Sequence, residues 1–329
     1  MPDARSLLRD IAAYAKPVTS RSIVELLITA VPFILTVGLM YWAVANGHWA
    51  GMLLAIPAGL LLVRLFMIQH DCSHGSFFKR RAANDWLGRV IGVFTLTPYD
   101  YWRRTHSVHH ARNGNLDSRG MGDVATLTVS EYRARSRWRR FTYRLYRNPI
   151  VLFGIGPAFV FFIQHRLPYG LMRGGWRPWL SAMITNGALA LLVAAALWFG
   201  AGRFLIVYAP VVLVAATVGV WLFYVQHQFE ETRWERDGDW TFHEAALHGS
   251  SHYDLPPVLR WITANIGIHH IHHLSSRIPY YRLSEVLRDK PELRDVGRLT
   301  LRQSLRTVRL ALWDEEKRRM ISFRELRAG

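Results

Sequence analysis

Hydrophobic positions along this chain gather in long runs, and the charged positions gather between them. A hydrocarbon core about 30 Å thick asks for roughly 20 apolar residues in a helix. Four runs meet that length: about 23–45, about 51–69 with Arg64 as its one charge, about 180–200, and about 204–226. Two shorter stretches, 90–98 and 149–163, are apolar but broken by Gly or Pro, and fit interfacial or re-entrant segments better than full spans. The pattern predicts an integral membrane protein with four transmembrane helices in two hairpins.

Charge fixes the expected orientation. The turns joining the first span to the second and the third to the fourth hold only Arg203, whereas the segments 71–179 and 227–329 are rich in Arg and Lys. The positive-inside rule therefore places the N-terminus, the long central segment and the C-terminus in the cytoplasm. The chain carries 41 Lys and Arg against 24 Asp and Glu, a net charge of +17. In a soluble protein that excess would suggest nucleic acid. Segregated between apolar runs, it reads as topology and attraction to anionic lipid, and nucleic acid is not expected as a partner. The first twenty residues are mixed and charged, so no cleavable signal is expected and the first span serves for insertion. Cys72 is the single cysteine, which excludes an intramolecular disulfide and any multi-cysteine metal site.

The tail from about 298 to 327 places Leu301, Leu305, Val308 and Leu312 at helical spacing among arginines, as in an amphipathic helix on the membrane or packed on the cytoplasmic domain. With no internal repeat or linker, residues 1–329 read as one domain.

The chemistry lies in the histidines. The second span runs into QHDCSH, with His70 and His74 four apart; HSVHH follows with His106, His109 and His110; the fourth span ends at His227; and HHIHH supplies His269, His272 and His273. Residues at i, i+3 and i+4 share one helix face, so these boxes present two, three and three imidazoles, and leave His270 off the face. With His227 they make nine candidate ligands, enough for two metal ions at four or five nitrogens each. An all-imidazole set suits iron, copper or zinc, and a single zinc site would not need nine. His48 and His165, alone at membrane ends, read as structural. Ionisable groups clustered near membrane depth are costly and usually functional.

HDCSH, HSVHH and HHIHH in that order resemble the membrane fatty acid desaturases, in particular their acyl-lipid branch, as do FYVQHQFE at 223–230, HGSSHYDLP at 248–256 and NIGIHHIHHLSSRIPYYRL at 265–283. The resemblance spans about residues 25–290. It implies an all-α fold of four transmembrane helices with a cytoplasmic helical cap that holds the histidine boxes, and an oxidoreductase in which His70, His74, His106, His109, His110, His227, His269, His272 and His273 hold two irons. It further implies O2 as co-substrate, a double bond introduced into a lipid-linked or thioester-linked acyl chain, and a separate electron carrier, ferredoxin-like or cytochrome b5-like. Phe223 stands where the acyl-CoA members keep an asparagine, so the resemblance implies no water-mediated ligand there. His252 sits where related acyl-lipid sequences also carry histidine and is expected beside the ligands rather than on the metal. Asp71, Glu230 and Asp254 are the carboxylates nearest the boxes and the expected acceptors for the ligands' outer ring nitrogens.

Two readings of the cytoplasmic arginines Arg133, Arg135, Arg137, Arg139 and Arg140 stand side by side: lipid headgroups, or an acidic electron carrier. Trp138 and Tyr143 between them favour an interfacial position. Spacing alone does not separate a desaturase from a di-iron membrane hydroxylase or decarboxylase of fatty acids, alkanes or carotenoids. A metal transporter or sensor would need polar residues within the spans, which here are almost wholly apolar.

Overall fold

A computed structural model describes residues 4–328. Most of them are helical. Four segments are long and apolar enough to cross a membrane: Thr19–Ala45, Trp49–His74, Trp176–Trp198 and Arg203–His227. Each begins one to four residues before its apolar run, and the second also extends through His70–His74. The first is α1 (Thr19–Ala45), and the second ends in α2 (Ala55–His74) after a 3-10 turn over Trp49–Leu54. After these come α3 (Arg81–Phe94), α4 (Tyr99–Arg112), α5 (Arg137–Tyr146) and α6 (Gly156–Phe162). The third and fourth are α7 (Trp176–Trp198) and α8 (Arg203–His227). Two further helices, α9 (His269–Leu274) and α10 (Tyr280–Asp289), carry the last histidine box and the segment that follows it.

Helix α2 sits at the centre, packed against α1, α3 and α8. Its burial shows this: Leu62, Val63, Leu65 and Ile68 are all in the core, as are Arg64 and Gln69. Close approach to α8 needs Gly59, where a Cβ would stand 2.6 Å from Val214. Helix α7 behaves differently. Residues 199–202 alone separate it from α8, yet it packs on α3 and α4, and most of its apolar surface is left outward. The stretch Val151–Ile155 winds as a π-helix into α6, and together they bend by 59° from α5, the geometry of a broken span or re-entrant loop.

The structure corrects the expectation for the tail. Leu301–Thr307 is helical, capped by Thr300 and Gln303, and Glu325–Ala328 adds one more short turn of helix. Beyond it β4 (Leu310–Asp314) and β5 (Arg319–Ser322) pair antiparallel, and β4 also pairs parallel with β1 (Leu127–Thr128). Leu310, Ala311, Leu312 and Trp313 are buried in sequence, on both faces of the strand, which a one-sided amphipathic helix does not allow. A second small sheet joins β2 (His252–Asp254) to β3 (Arg298–Thr300). The fold is therefore helical with two minor sheets rather than all-α. Tyr143 is likewise not interfacial: it is buried, and its hydroxyl donates to the Ala311 carbonyl at 2.6 Å.

Candidate metal centre

Four helix ends converge on one place. Helix α2 closes with His70 and His74 and stops at Gly75, whose left-handed φ of 70° ends the helix just past the second imidazole. Helix α4 presents His106, His109 and His110, α8 ends on His227, and α9 consists almost entirely of its box. The structure brings nine histidines together in two groups: His70, His74, His106, His110 and His272, and His109, His227, His269 and His273. Within each group the ligand atoms lie within 4.8 Å of one another, and eight of the nine residues are buried. The groups adjoin, with the rings of His110 and His273 stacked at 4.1 Å.

The spacing tests whether a metal fits. Nε2 atoms approach at 3.1 Å for His106 and His74, 3.1 Å for His110 and His106, and 3.2 Å for His272 and His110. In the other group the separations are 3.1 Å for His109 and His227, 3.0 Å for His269 and His227, and 3.1 Å for His273 and His269. A metal–imidazole bond of about 2.1 Å places ligands at right angles about 3.0 Å apart, and tetrahedral ligands about 3.4 Å apart. The observed edges match the right-angled arrangement, as five donors in one group also require. Burial holds His106, His110, His269, His272 and His273 well below the usual imidazole range. They are therefore neutral, with the lone pair that ligation needs. The donor set fits two transition-metal ions.

The outer ring nitrogens reveal what aims the rings. His70 Nδ1 meets Asp71 Oδ1 at 3.2 Å, and the other Asp71 oxygen accepts from the Tyr280 N–H at 2.7 Å. His109 Nδ1 meets Asp123 Oδ1 at 2.5 Å, and His227 Nδ1 donates to the Gly249 carbonyl at 3.1 Å. Such acceptors fix tautomer and orientation. Asp123 carries no sequence signal: it lies in a glycine-rich loop fourteen residues beyond its histidine.

Other expected neighbours stand elsewhere. Glu230 is exposed and pairs with Arg319 at 2.6 Å, and Asp254 pairs with Arg298 at 2.7 Å; both point to surface arginines rather than to a ligand. His252 belongs to neither histidine group. Its Nδ1 lies 2.5 Å from the Arg294 carbonyl, and its ring packs on His270 at 5.6 Å. His270 in turn donates to the Leu293 carbonyl at 2.9 Å, and burial holds its pKa down at about 3. These two histidines support the backbone behind the centre. Phe223 lies over His109 and His227, at 5.0 and 5.1 Å between ring centres, and offers no donor. Cys72 is buried, and its carbonyl accepts from the Tyr99 hydroxyl.

Beside the centre lies a cavity of ≈ 770 Å³, walled by Leu62, Phe66, Trp102, Val212, Gly219 and Phe223 and touched by His70, His106 and His269. Its size is that of a small-molecule site and its lining is mainly apolar.

Comparison with known proteins agrees with this geometry. Residues 47–303 match the model of the family described as fatty acid desaturase. The chain is 43% identical over 324 residues to a fatty acid desaturase of Bacillus subtilis, covering 98% of this chain and 92% of that protein. It is 30% identical to an sn-1 acyl-lipid omega-3 desaturase (ferredoxin) of Synechocystis, over 68% of this chain and 63% of that one. An sn-1 oleoyl-lipid 12-desaturase of Anabaena variabilis is 28% identical over 76% of this chain and 71% of its own.

Proposed function

The chain belongs to the fatty acid desaturase family, and from that premise we propose that it introduces a double bond into the acyl chain of a membrane lipid, using two irons held by the nine clustered histidines. The observation that carries this reading is the pair of adjoining imidazole groups opening on an apolar cavity. The first iron would take His70, His74, His106, His110 and His272, and the second His109, His227, His269 and His273. Such a pair supplies the O2-dependent removal of two hydrogens from neighbouring unactivated methylenes, chemistry beyond any ordinary side chain.

The protein's own part is placement. Phe66, Trp102 and Phe223 confine an acyl chain beside the centre and exclude water from it. Asp71, Asp123 and the Gly249 carbonyl hold His70, His109 and His227 in the tautomer that turns Nε2 inward. The basic segments favour a multi-pass protein with its spans in two hairpins, both termini and the centre on the cytoplasmic side, and the whole chain acting as one domain. Electrons would arrive from a separate acidic carrier; the Synechocystis relative is named as a ferredoxin-dependent enzyme.

Expression in a host fed saturated lipid, followed by mass spectrometry of its acyl chains, tests the reaction. New double bonds are expected, and hydroxylated chains without them would overturn the proposal in favour of a hydroxylase. Purified protein is expected to hold two irons per chain.

A further inference from the structure

Helix α5 exposes Trp138, Phe141 and Leu145, at 70, 54 and 50% of full exposure. They lie at i, i+3 and i+7, on one face. The opposite face is occupied: Tyr143 bonds the Ala311 carbonyl, and Arg147 reaches Gln228 Oε1 at 2.9 Å and the Leu310 carbonyl at 2.7 Å. The apolar stripe therefore looks away from the protein. Arg137 and Arg140 border it on one side and Arg139 on the other, and among the described residues none of the three pairs with a carboxylate.

Large apolar residues turned outward between free guanidinium groups are the pattern of a helix lying in a membrane interface. An acidic soluble protein would answer the arginines but leave the stacked Trp138 and Phe141 without a reason to face outward. Outward apolar residues recur past the 59° bend, at Ile150, Ile155, Phe159 and Ile163. On its inner side that same stretch walls the cavity with Tyr146, Leu152, Val160 and Phe161. One element thus offers phosphate-binding forks outside and an apolar path inside.

We propose that α5 lies flat in the interface and holds the phosphate of an anionic phospholipid, whose acyl chain passes by Tyr146 and Leu152 into the cavity. This makes anionic phospholipids the preferred substrate class, and it rests on the desaturase reading above. The test reconstitutes the iron-loaded enzyme in nanodiscs with equal amounts of phosphatidylglycerol and phosphatidylcholine bearing the same saturated chains. Ferredoxin and its reductase supply electrons, and mass spectrometry follows each lipid separately. Wild type is expected to favour phosphatidylglycerol. The triple variant Arg137→Gln, Arg139→Gln, Arg140→Gln is expected to lose that preference, by up to about fivefold per arginine, with iron content unchanged. Equal conversion of both lipids by wild type, or an unchanged ratio in the variant, overturns the proposal. A variant that slows both lipids alike and needs more ferredoxin overturns it too, and assigns the arginines to the carrier. No double bond in either lipid from wild type would instead sink the desaturase reading itself.

Discussion

An imidazole binds a metal through one nitrogen, and the other nitrogen decides where the first one points. At His109 that decision falls to Asp123, 2.5 Å away on a loop that sequence spacing does not single out. Removing it with Asp123→Ala is expected to weaken iron binding about 10- to 100-fold while leaving the fold intact, measured by competition with a chelator. Truncating a ligand goes further: His110→Ala takes one donor from the group of five and is expected to lower bound iron in purified protein. Gly267 acts through the backbone. A Cβ there would meet the Tyr253 carbonyl at 2.4 Å, just where Tyr253 N–H bonds the Gly267 carbonyl at 2.6 Å. Gly267→Ala is therefore expected to displace α9 and its three ligands, with reduced iron content as the readout. The ligands' residue type and helical face were readable from spacing. Their acceptors were readable only where they neighbour in sequence, as Asp71 does, because a hydrogen bond across a loop leaves no local pattern.

Among the elements, the pairing of α1 with α2 turns on a buried charge. Arg64, the one charge in its apolar run, forms an ion pair with Glu25 and donates to Thr29 Oγ1 at 3.1 Å. Its guanidinium lies 4.3 Å over the Trp261 ring, and the Tyr280 hydroxyl meets Glu25 at 3.2 Å. Tyr280 also donates its N–H to Asp71, so the same residue touches the buried Arg64–Glu25 pair and the carboxylate beside His70. Without Arg64 the buried Glu25 would keep only the largely exposed Arg21, at 2.8 Å, and a buried charge short of its buried partner is costly, whereas removing both is less so. Arg64→Met is expected to destabilise by about 3–5 kcal/mol in detergent unfolding, and adding Glu25→Gln to recover part of the loss. At this scale the apolar runs located the spans to within a few residues. The tail departs from its helical pattern because its leucines keep a helical repeat only up to Thr307, after which burial on both faces makes a strand.

For the molecule as a whole, the apolar cavity is the space that borders the centre. Gly219 lines it, and a Cβ there would meet nothing within 4 Å. It lies eight positions before His227, about 12 Å along α8. Gly219→Leu is expected to fill that part of the cavity without touching a ligand, so iron content should hold while products shift to shorter chains. Comparing the lengths of desaturated chains from the two proteins checks this.

Sequence by itself determined the four apolar spans, the helical face shared by each histidine box, and the family to which the boxes resemble a signature. Those are local facts: a span is one run, and a face is fixed within four residues. Tertiary structure alone decided which histidines share a group, so that His272 joins the histidines of α2 while His269 and His273 join His227. It also decided that Asp123 rather than Glu230 or Asp254 meets a clustered histidine, and that Glu25 answers Arg64. Each of these joins residues far apart in the chain, and only the packing of helices against one another sets such distances.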